Sequence, residues 1–89
     1  NKKNALIIDI RPQKEFDEGK ISQARYVGPD LDICKKELAK ADGKPVILVC
    51  QNGTNSSLMA SDLKKEEINV FVLKGGINNW VSEKLPLIN

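Results

Sequence analysis

The sequence has no histidine and only two cysteines, Cys34 and Cys50, among its 89 residues. Without histidine or a Cys-x-x-Cys pair, these thiols do not make the ligand pattern of a zinc or related metal site. Two cysteines are also too few to hold a small fold together by disulfides. We therefore expect no metal site, and a reducing, cytoplasmic location is the simpler interpretation.

The sequence also has few aromatic residues and no large excess of either positive or negative charge. The aromatic residues are Phe16, Tyr26, Phe71 and Trp80. The 14 basic and 12 acidic residues give a net charge of +2, and no basic stripe is interleaved with the aromatics. This pattern excludes the usual surface for nucleic-acid binding.

Long apolar runs are absent as well. No run approaches the ~18 residues that a membrane-spanning helix needs, and no signal peptide opens the chain. We expect no membrane contact by this segment. A length of 89 residues with 40% hydrophobic content predicts a single domain over 1–89, with a modest core and a monomeric state.

The apolar pattern alternates between strands and helices along the whole chain. Strands are predicted over 5–9, 25–27, 46–50 and 70–73, and helices over 12–18, 30–41, 56–66 and 77–83. Such alternation favours right-handed βαβ crossovers. The predicted fold class is α/β, with three α/β/α layers around a central, mainly parallel sheet of four to five strands.

The most informative stretch runs from Val46 to Ser56. Its first four residues are apolar and rich in β-branched types, which fits a buried parallel strand. Cys50 then lies at the carboxyl end of that strand, the edge of an open α/β sheet where ligands bind. Gly53 permits a left-handed turn after the cysteine.

The predicted helix from Ser56 would direct free N–H groups and its positive dipole end at the Cys50 sulfur. Such surroundings lower the pKa of a thiol and favour a reactive thiolate. A buried cysteine that acts only as a small hydrophobic residue is an equally weighted alternative.

Other residues have structural interpretations that outweigh chemical ones. Asp9 and Arg11, with Glu15 nearby, could form an acid/base site, but an ion pair that ties the turn to its helix is preferred. Gly75 and Gly76 could cradle an anion, but a tight turn needs only their backbone freedom.

Two helical stripes are interpreted as core. Leu31, Cys34, Leu38 and Ala41 recur at helical spacing, and so do Ile77, Trp80 and Val81. Cys34 is therefore expected to be inert packing rather than a resolving thiol. Asp30 is predicted to cap the second long helix, and Asn69 to take a left-handed position after the third.

Four segments resemble, in order, those of a single rhodanese (sulfurtransferase) domain. They are Asp9-Ile10-Arg11 with Glu15-Phe16 (Asp-x-Arg), Gly19-Lys20-Ile21-Ser22-Gln23-Ala24 (Gly-His-Ile-x-x-Ala), residues 45–56 (the Cys-x-x-Gly-x-Arg-Ser active loop), and residues 72–77 with Trp80, Leu85 and Pro86 (the closing segment). The similarity extends over nearly the whole chain.

The resemblance implies that Cys50 is the catalytic residue of a sulfane-sulfur relay through a cysteine persulfide. It further implies that the rest of the active loop binds substrate and that no metal or organic cofactor takes part. The loop residues concerned are Gln51, Asn52, Gly53, Thr54, Asn55 and Ser56. The implied partners are a small-molecule sulfur donor or a persulfidated protein.

The loop departs from the family pattern where arginine is common, at Gln51 and Asn55. Without a cation in the loop, thiosulfate loses charge-assisted contacts, so weak thiosulfate activity and a persulfide donor are expected. A cysteine phosphatase needs Cys-x5-Arg, and Ser56 occupies the arginine position here.

Two other functions remain open at this point. The first is a catalytically weak or inactive rhodanese-like binding or scaffold module, and the second is a redox-sensing thiol, which peroxide would convert to a stable sulfenic acid. Rhodanese domains usually carry a helix or strand before the first strand seen here. The resemblance therefore predicts an upstream segment, of which an anchor to the inner face of a membrane is one form.

Overall fold

The computed structural model describes residues 5–89, and strands and helices alternate along them. The four residues before Ala5, and the segment expected ahead of them, lie outside the described residues. The strands are Leu6–Asp9 (β1), Arg25–Tyr26 (β2), Val46–Val49 (β3) and Phe71–Val72 (β4); the helices are Gln13–Glu18 (α1), Leu31–Ala39 (α2), Thr54–Lys65 (α3) and Gly76–Ser82 (α4).

The four strands form one parallel sheet in the order β2-β1-β3-β4. Strands β1 and β3 pair over their full lengths, with Leu6 opposite Val46 and Asp9 opposite Val49. Both central strands therefore end at the same level, and Cys50 follows one of them. The predicted α/β fold with a parallel sheet is confirmed.

The core lies on both faces of the sheet because successive strand residues point to opposite sides. Ile8 and Leu48 pack with Cys34 on α2 and Leu63 on α3. Their neighbours along the strands, Ile7 and Val49 among them, form a second cluster on the other face with Ile77 and Trp80 of α4. Burial of each such aliphatic side chain contributes about 1.5–3 kcal/mol.

Helix α3 begins at Thr54, two residues before the predicted start at Ser56. Gly53 is the N-cap in the left-handed region, with φ of 93°, and a Cβ at this position would lie 3.0 Å from the Gly75 nitrogen. Glycine is therefore required here, and the helix starts as soon as the chain leaves it. Ser56 consequently lies inside the first turn rather than at its edge.

The predicted left-handed position at Asn69 is wrong, because Glu67 takes it with φ of 65°. The Ile68 N–H donates to the Leu63 carbonyl, and the Glu67 N–H donates to the Lys64 carbonyl. These two bonds form a Schellman motif. Ile68 is partly buried and packs against the core cluster that contains Leu63, which agrees with a reversal of the chain at Glu67.

The predicted stripe on α4 is only partly correct. Ile77 and Trp80 pack in the second cluster, but Val81 is 50% exposed. The chain after α4 folds back over Trp80, whose Nε1 donates to the Pro86 carbonyl at 2.9 Å, and Leu87 takes the packing place expected for Val81.

The other local predictions differ from the structure by one or two residues at most element ends, and β4 is two residues long rather than four. Cys34 is fully buried, as predicted, and the Asp30 carboxylate accepts the Ile33 N–H at 3.1 Å to cap α2. None of the helices within residues 5–89 has both the length and the apolar character needed to cross a membrane.

Candidate active site

Cys50 is the first residue after β3 and is held between the start of α3 and the turn that precedes α4. The Ile77 N–H donates to the Cys50 carbonyl at 2.9 Å, and the Asn78 N–H donates to the Gln51 carbonyl at 2.8 Å. Gly76 makes this approach possible, since a Cβ there would lie 2.3 Å from the Cys50 oxygen. The N–H groups of Ile77 and Asn78 are thus occupied by loop carbonyls, and that of Gly76 by the Leu73 carbonyl, which favours the tight-turn interpretation of this segment.

The sulfur of Cys50 is the focus of three polar contacts. The Gly53 N–H donates to Sγ at 3.1 Å, and the Ser56 N–H donates to it at 3.3 Å. The Ser56 hydroxyl lies 3.2 Å from the same sulfur. The early start of α3 directs these groups inward, because its unpaired first-turn N–H groups then surround the sulfur.

These contacts decide the ionisation of the thiol. Burial raises the pKa of Cys50, whose exposed fraction is 1%, because a thiolate is poorly solvated there. Hydrogen bonds from the Ser56 hydroxyl, and from the N–H groups of Ser56, Gly53 and Asn52, lower it by more. The net result is a lowered pKa for the Cys50 thiol.

Ser56 can hydrogen-bond to the Cys50 sulfur both when the sulfur is a neutral thiol and when it is a thiolate. Its side chain is fully buried, and its hydroxyl also lies 3.2 Å from the Gly53 carbonyl oxygen. With a neutral thiol, Sγ–H can donate to Oγ while the hydroxyl proton goes to the carbonyl. With a thiolate, the hydroxyl proton turns to the sulfur.

The remaining predicted site residues take two different places. The Asn52 side chain accepts the Thr54 N–H at 3.0 Å and so holds the loop at the start of α3. Gln51 accepts a hydrogen bond from Arg11 at 3.3 Å and donates one to Asn78 at 2.7 Å. The side chains of Gln51 and Asn52 therefore bond to the protein itself.

Thr54 and Asn55, by contrast, are exposed and line separate cavities on either side of the loop. The smaller cavity, about 320 Å³, contains Asn55 and Asp62. The larger, about 630 Å³, contains Thr54 and lies between α3 and the residues after β4.

The predicted ion pair between Asp9 and Arg11 is confirmed. Arg11 Nη2 lies 2.9 Å from Asp9 Oδ2, and Nε lies 3.0 Å from Oδ1, with both side chains buried. The same guanidinium donates to the Gly19 carbonyl at 2.7 Å and to Gln51. The ion pair is thus linked by a hydrogen bond to Gln51, the loop residue that follows Cys50. Sequence reasoning did not predict this link.

Lys74 is a second residue that sequence reasoning missed. It follows β4 and lines the larger cavity together with Asn52, Gly53 and Thr54. The signal was present, because β4 neighbours β3 in a parallel sheet and the carboxyl ends of neighbouring parallel strands meet at one edge. The loop itself has no cation, but the wall of the adjacent cavity does.

Known proteins resemble the chain along nearly its whole length. The description "Rhodanese-like domain" is that of the family whose model matches residues 1–83. The Escherichia coli K12 protein YibN is 35% identical over 91 residues, which cover 99% of this chain and 64% of YibN. The chain thus spans somewhat less than two thirds of that relative.

Two further matches differ in size. The adenylyltransferase and sulfurtransferase MOCS3 of Drosophila grimshawi is 29% identical over 94 residues, covering 92% of this chain and 21% of that protein. A rhodanese-related protein from Thermoplasma volcanium shares the fold, with a TM-score of 0.81 at 22% identity, covering 97% of this chain and 85% of that one. With the family model and the cysteine loop at the end of β3, these matches show that the chain belongs to the rhodanese-like domain family.

Proposed function

We propose that the protein is a sulfurtransferase that moves sulfane sulfur through a persulfide on Cys50. The observation that carries this proposal is the set of donors around Sγ: the N–H groups of Gly53 and Ser56 and the Ser56 hydroxyl, all within 3.3 Å. Donors fixed in advance around a sulfur favour its anionic forms, and these forms occur in both halves of the reaction.

In the first half-reaction, the Cys50 thiolate attacks the outer sulfur of a donor R–S–SH. A new S–S bond forms on Sγ, the S–S bond of the donor breaks, and R–S⁻ leaves with the electron pair. The lowered pKa of Cys50 increases the fraction of thiolate available for this attack. No oxidant or reductant is consumed, because the sulfane sulfur keeps its oxidation state.

In the second half-reaction, a nucleophilic acceptor attacks the terminal sulfur of the Cys50 persulfide. The S–S bond to Sγ breaks, and the thiolate returns to its hydrogen bonds with Gly53 and Ser56. The leaving group is thus the same anion that the loop stabilises at the start. Its stabilisation lowers the barrier for departure.

The donor is expected to be a persulfide rather than thiosulfate. Gln51 and Asn55 stand where arginines would contact a sulfonate, and the guanidinium nearest the loop, Arg11, is buried and bonded to Asp9. An anionic sulfonate at the sulfur therefore lacks charge-assisted contacts, each of which contributes ~1.5–3 kcal/mol.

Intact-protein mass spectrometry tests the proposal directly. The protein is incubated with thiosulfate or with a low-molecular-weight persulfide, then with cyanide, as wild type and as Cys50→Ser. We expect a gain of one sulfur that requires Cys50, is faster with the persulfide, and is released as thiocyanate. A folded protein with a free Cys50 thiol that gains no sulfur from either donor would contradict it.

A second candidate function, a binding module without turnover, is favoured by one observation. Cys50 is only 1% exposed, so the loop as folded leaves a sulfur donor little access to Sγ. The same experiment separates the two functions, since a module retains the fold and the thiol but takes up no sulfur.

A further inference from the structure

The larger cavity beside the active loop is an open depression with room for a small ligand. Its volume of about 630 Å³ falls within the ~300–1,000 Å³ typical of small-ligand sites. One wall is polar and comes from the loop and the start of α3, with Thr54 and Ser57. Leu58, also on α3, and Val72 of β4 add apolar surface to the lining.

The cavity lies one backbone residue away from the reactive sulfur. Gly53 contributes to its wall, and the N–H of the same Gly53 donates to Cys50 Sγ at 3.1 Å. Cys50 itself does not line the cavity, so Gly53 is the residue that connects the two, and a donor that reaches Sγ past Gly53 would have its remaining atoms in this space.

Lys74 gives the cavity its charge. Among the described residues that line it, Lys74 is the only charged one. Within residues 5–89, its ammonium group takes part in no ion pair, in contrast to Lys35, Lys40 and Lys65. An exposed ammonium in a cavity without acidic residues favours an anionic group on the ligand.

The position of this charge discriminates between anions. In thiosulfate the negative oxygens sit on the atom bonded to the sulfane sulfur, so they stay close to Cys50. In a persulfide built on an amino acid or short peptide, the carboxylate lies several bonds from the sulfur and can extend past Gly53 into the cavity. Lys74 is thus suited to the second kind of donor.

We propose that this cavity binds the organic part of a low-molecular-weight persulfide and that Lys74 pairs with its carboxylate. This inference rests on the sulfur transfer proposed above for Cys50. Lys74 is a specificity-determining residue in this view: it selects carboxylate-bearing donors while the loop around Cys50 handles the sulfur.

The test compares two donors that differ only in charge: the persulfides of N-acetylcysteine and of N-acetylcysteine amide. Rapid-quench mass spectrometry gives the half-saturating concentration for loading of Cys50 in the wild type, Lys74→Met and Lys74→Arg. Lys44→Met is the control, because Lys44 is exposed and precedes β3, at the opposite edge of the sheet.

We expect Lys74→Met to raise the half-saturating concentration of the acid about two- to fivefold relative to the amide, as for an exposed ion pair. Lys74→Arg should restore the wild-type ratio, and Lys44→Met should not alter it. An unchanged ratio in Lys74→Met, with Cys50 still loaded, would overturn the role of Lys74 and leave the sulfurtransferase proposal intact.

A binding measurement decides the case in which no donor loads Cys50. The nitrogen-labelled protein is titrated with N-acetyl-S-methylcysteine and with its amide, and backbone amide signals are followed by NMR. Shifts at Thr54, Ser57 and Lys74 that are stronger with the acid and lost in Lys74→Met would support the binding site. Together with the absence of loading, they would refute the proposed sulfur transfer but not the site. Absence of such shifts would overturn the site as well.

Discussion

The two cysteines of this chain occupy equally buried positions, but their pKa values are shifted in opposite directions. Cys34 is 0% exposed and Cys50 is 1% exposed. Burial raises the pKa of Cys34, and the negative charge of Glu37 raises it further. Burial also raises the pKa of Cys50, but hydrogen bonds from Ser56, Gly53 and Asn52 bring it below the ordinary value.

Burial alone therefore does not decide whether a thiol is inert. Cys34 lies in the middle of α2, where the backbone N–H groups are used by the helix itself, as its own N–H is by the Asp30 carbonyl. Cys50 lies just before a helix, where N–H groups have no intrahelical partner and can turn to the sulfur. The position of each cysteine relative to the start of a helix therefore explains why the two pKa values shift in opposite directions.

The largest effect should come from replacing each thiol in turn. Cys50→Ser is expected to abolish sulfur uptake, because a hydroxyl does not form a persulfide. Cys34→Ala should retain uptake and lower the free energy of unfolding by about 1–2 kcal/mol, since it leaves a small cavity. Intact mass and chemical denaturation measure the two outcomes. Sulfur uptake that depends on Cys34 would show that Cys34, and not Cys50, accepts the sulfur.

The pH dependence of alkylation should differ next most strongly between the two thiols. The thiolate is the reactive form, so the midpoint for Cys50, whose pKa is lowered, is expected at a lower pH than that for Cys34, whose pKa is raised. Iodoacetamide labelling followed by peptide mass spectrometry across a range of pH gives both curves. A Cys50 midpoint above that of Cys34 would contradict the comparison.

The same lowering of the Cys50 pKa contributes to stability. Since the folded state favours the thiolate, the contribution is fully present above the ordinary cysteine pKa. It is lost as the pH falls through the pKa of Cys50 in the fold. The free energy of unfolding of Cys50→Ser should lack this part of the pH dependence.

Ser56→Ala should bring the pKa of Cys50 closer to that of Cys34. It removes the hydroxyl 3.2 Å from Sγ but keeps the N–H, so the pKa of Cys50 should rise and the alkylation rate at neutral pH should fall about three- to tenfold. Ser61→Ala is a matched control on the exposed part of α3. Equal rates in the two variants would show that the hydroxyl does not support the thiolate.

The smallest effect is expected from Glu37→Gln, which removes the lesser cause of the raised Cys34 pKa. That pKa should fall slightly, because burial, the larger cause, is unchanged. Ultraviolet absorbance of the thiolate during titration of the Cys50→Ser background measures it. A fall below the ordinary cysteine value would mean that charge, and not burial, keeps Cys34 inert.

Much of the fold could be predicted from the sequence because it depends on local patterns. The alternation of apolar runs with helical stripes indicates βαβ units, and the parallel sheet follows from them. Cys50 could be assigned to a strand end, and Asp30 to a helix cap, from neighbours within a few residues. The family motifs are similarly local.

The sequence by itself thus determined the order of the elements, the place of Cys50 at a strand end and the buried helical stripe that holds Cys34. Only the tertiary structure decided the details of the site, because they depend on contacts between residues far apart in the chain. Helix α3 starts at Thr54 because Gly53 packs against the turn at Gly75. Lys74 borders the site because β4 pairs with β3, which brings the ends of both strands to one edge of the sheet.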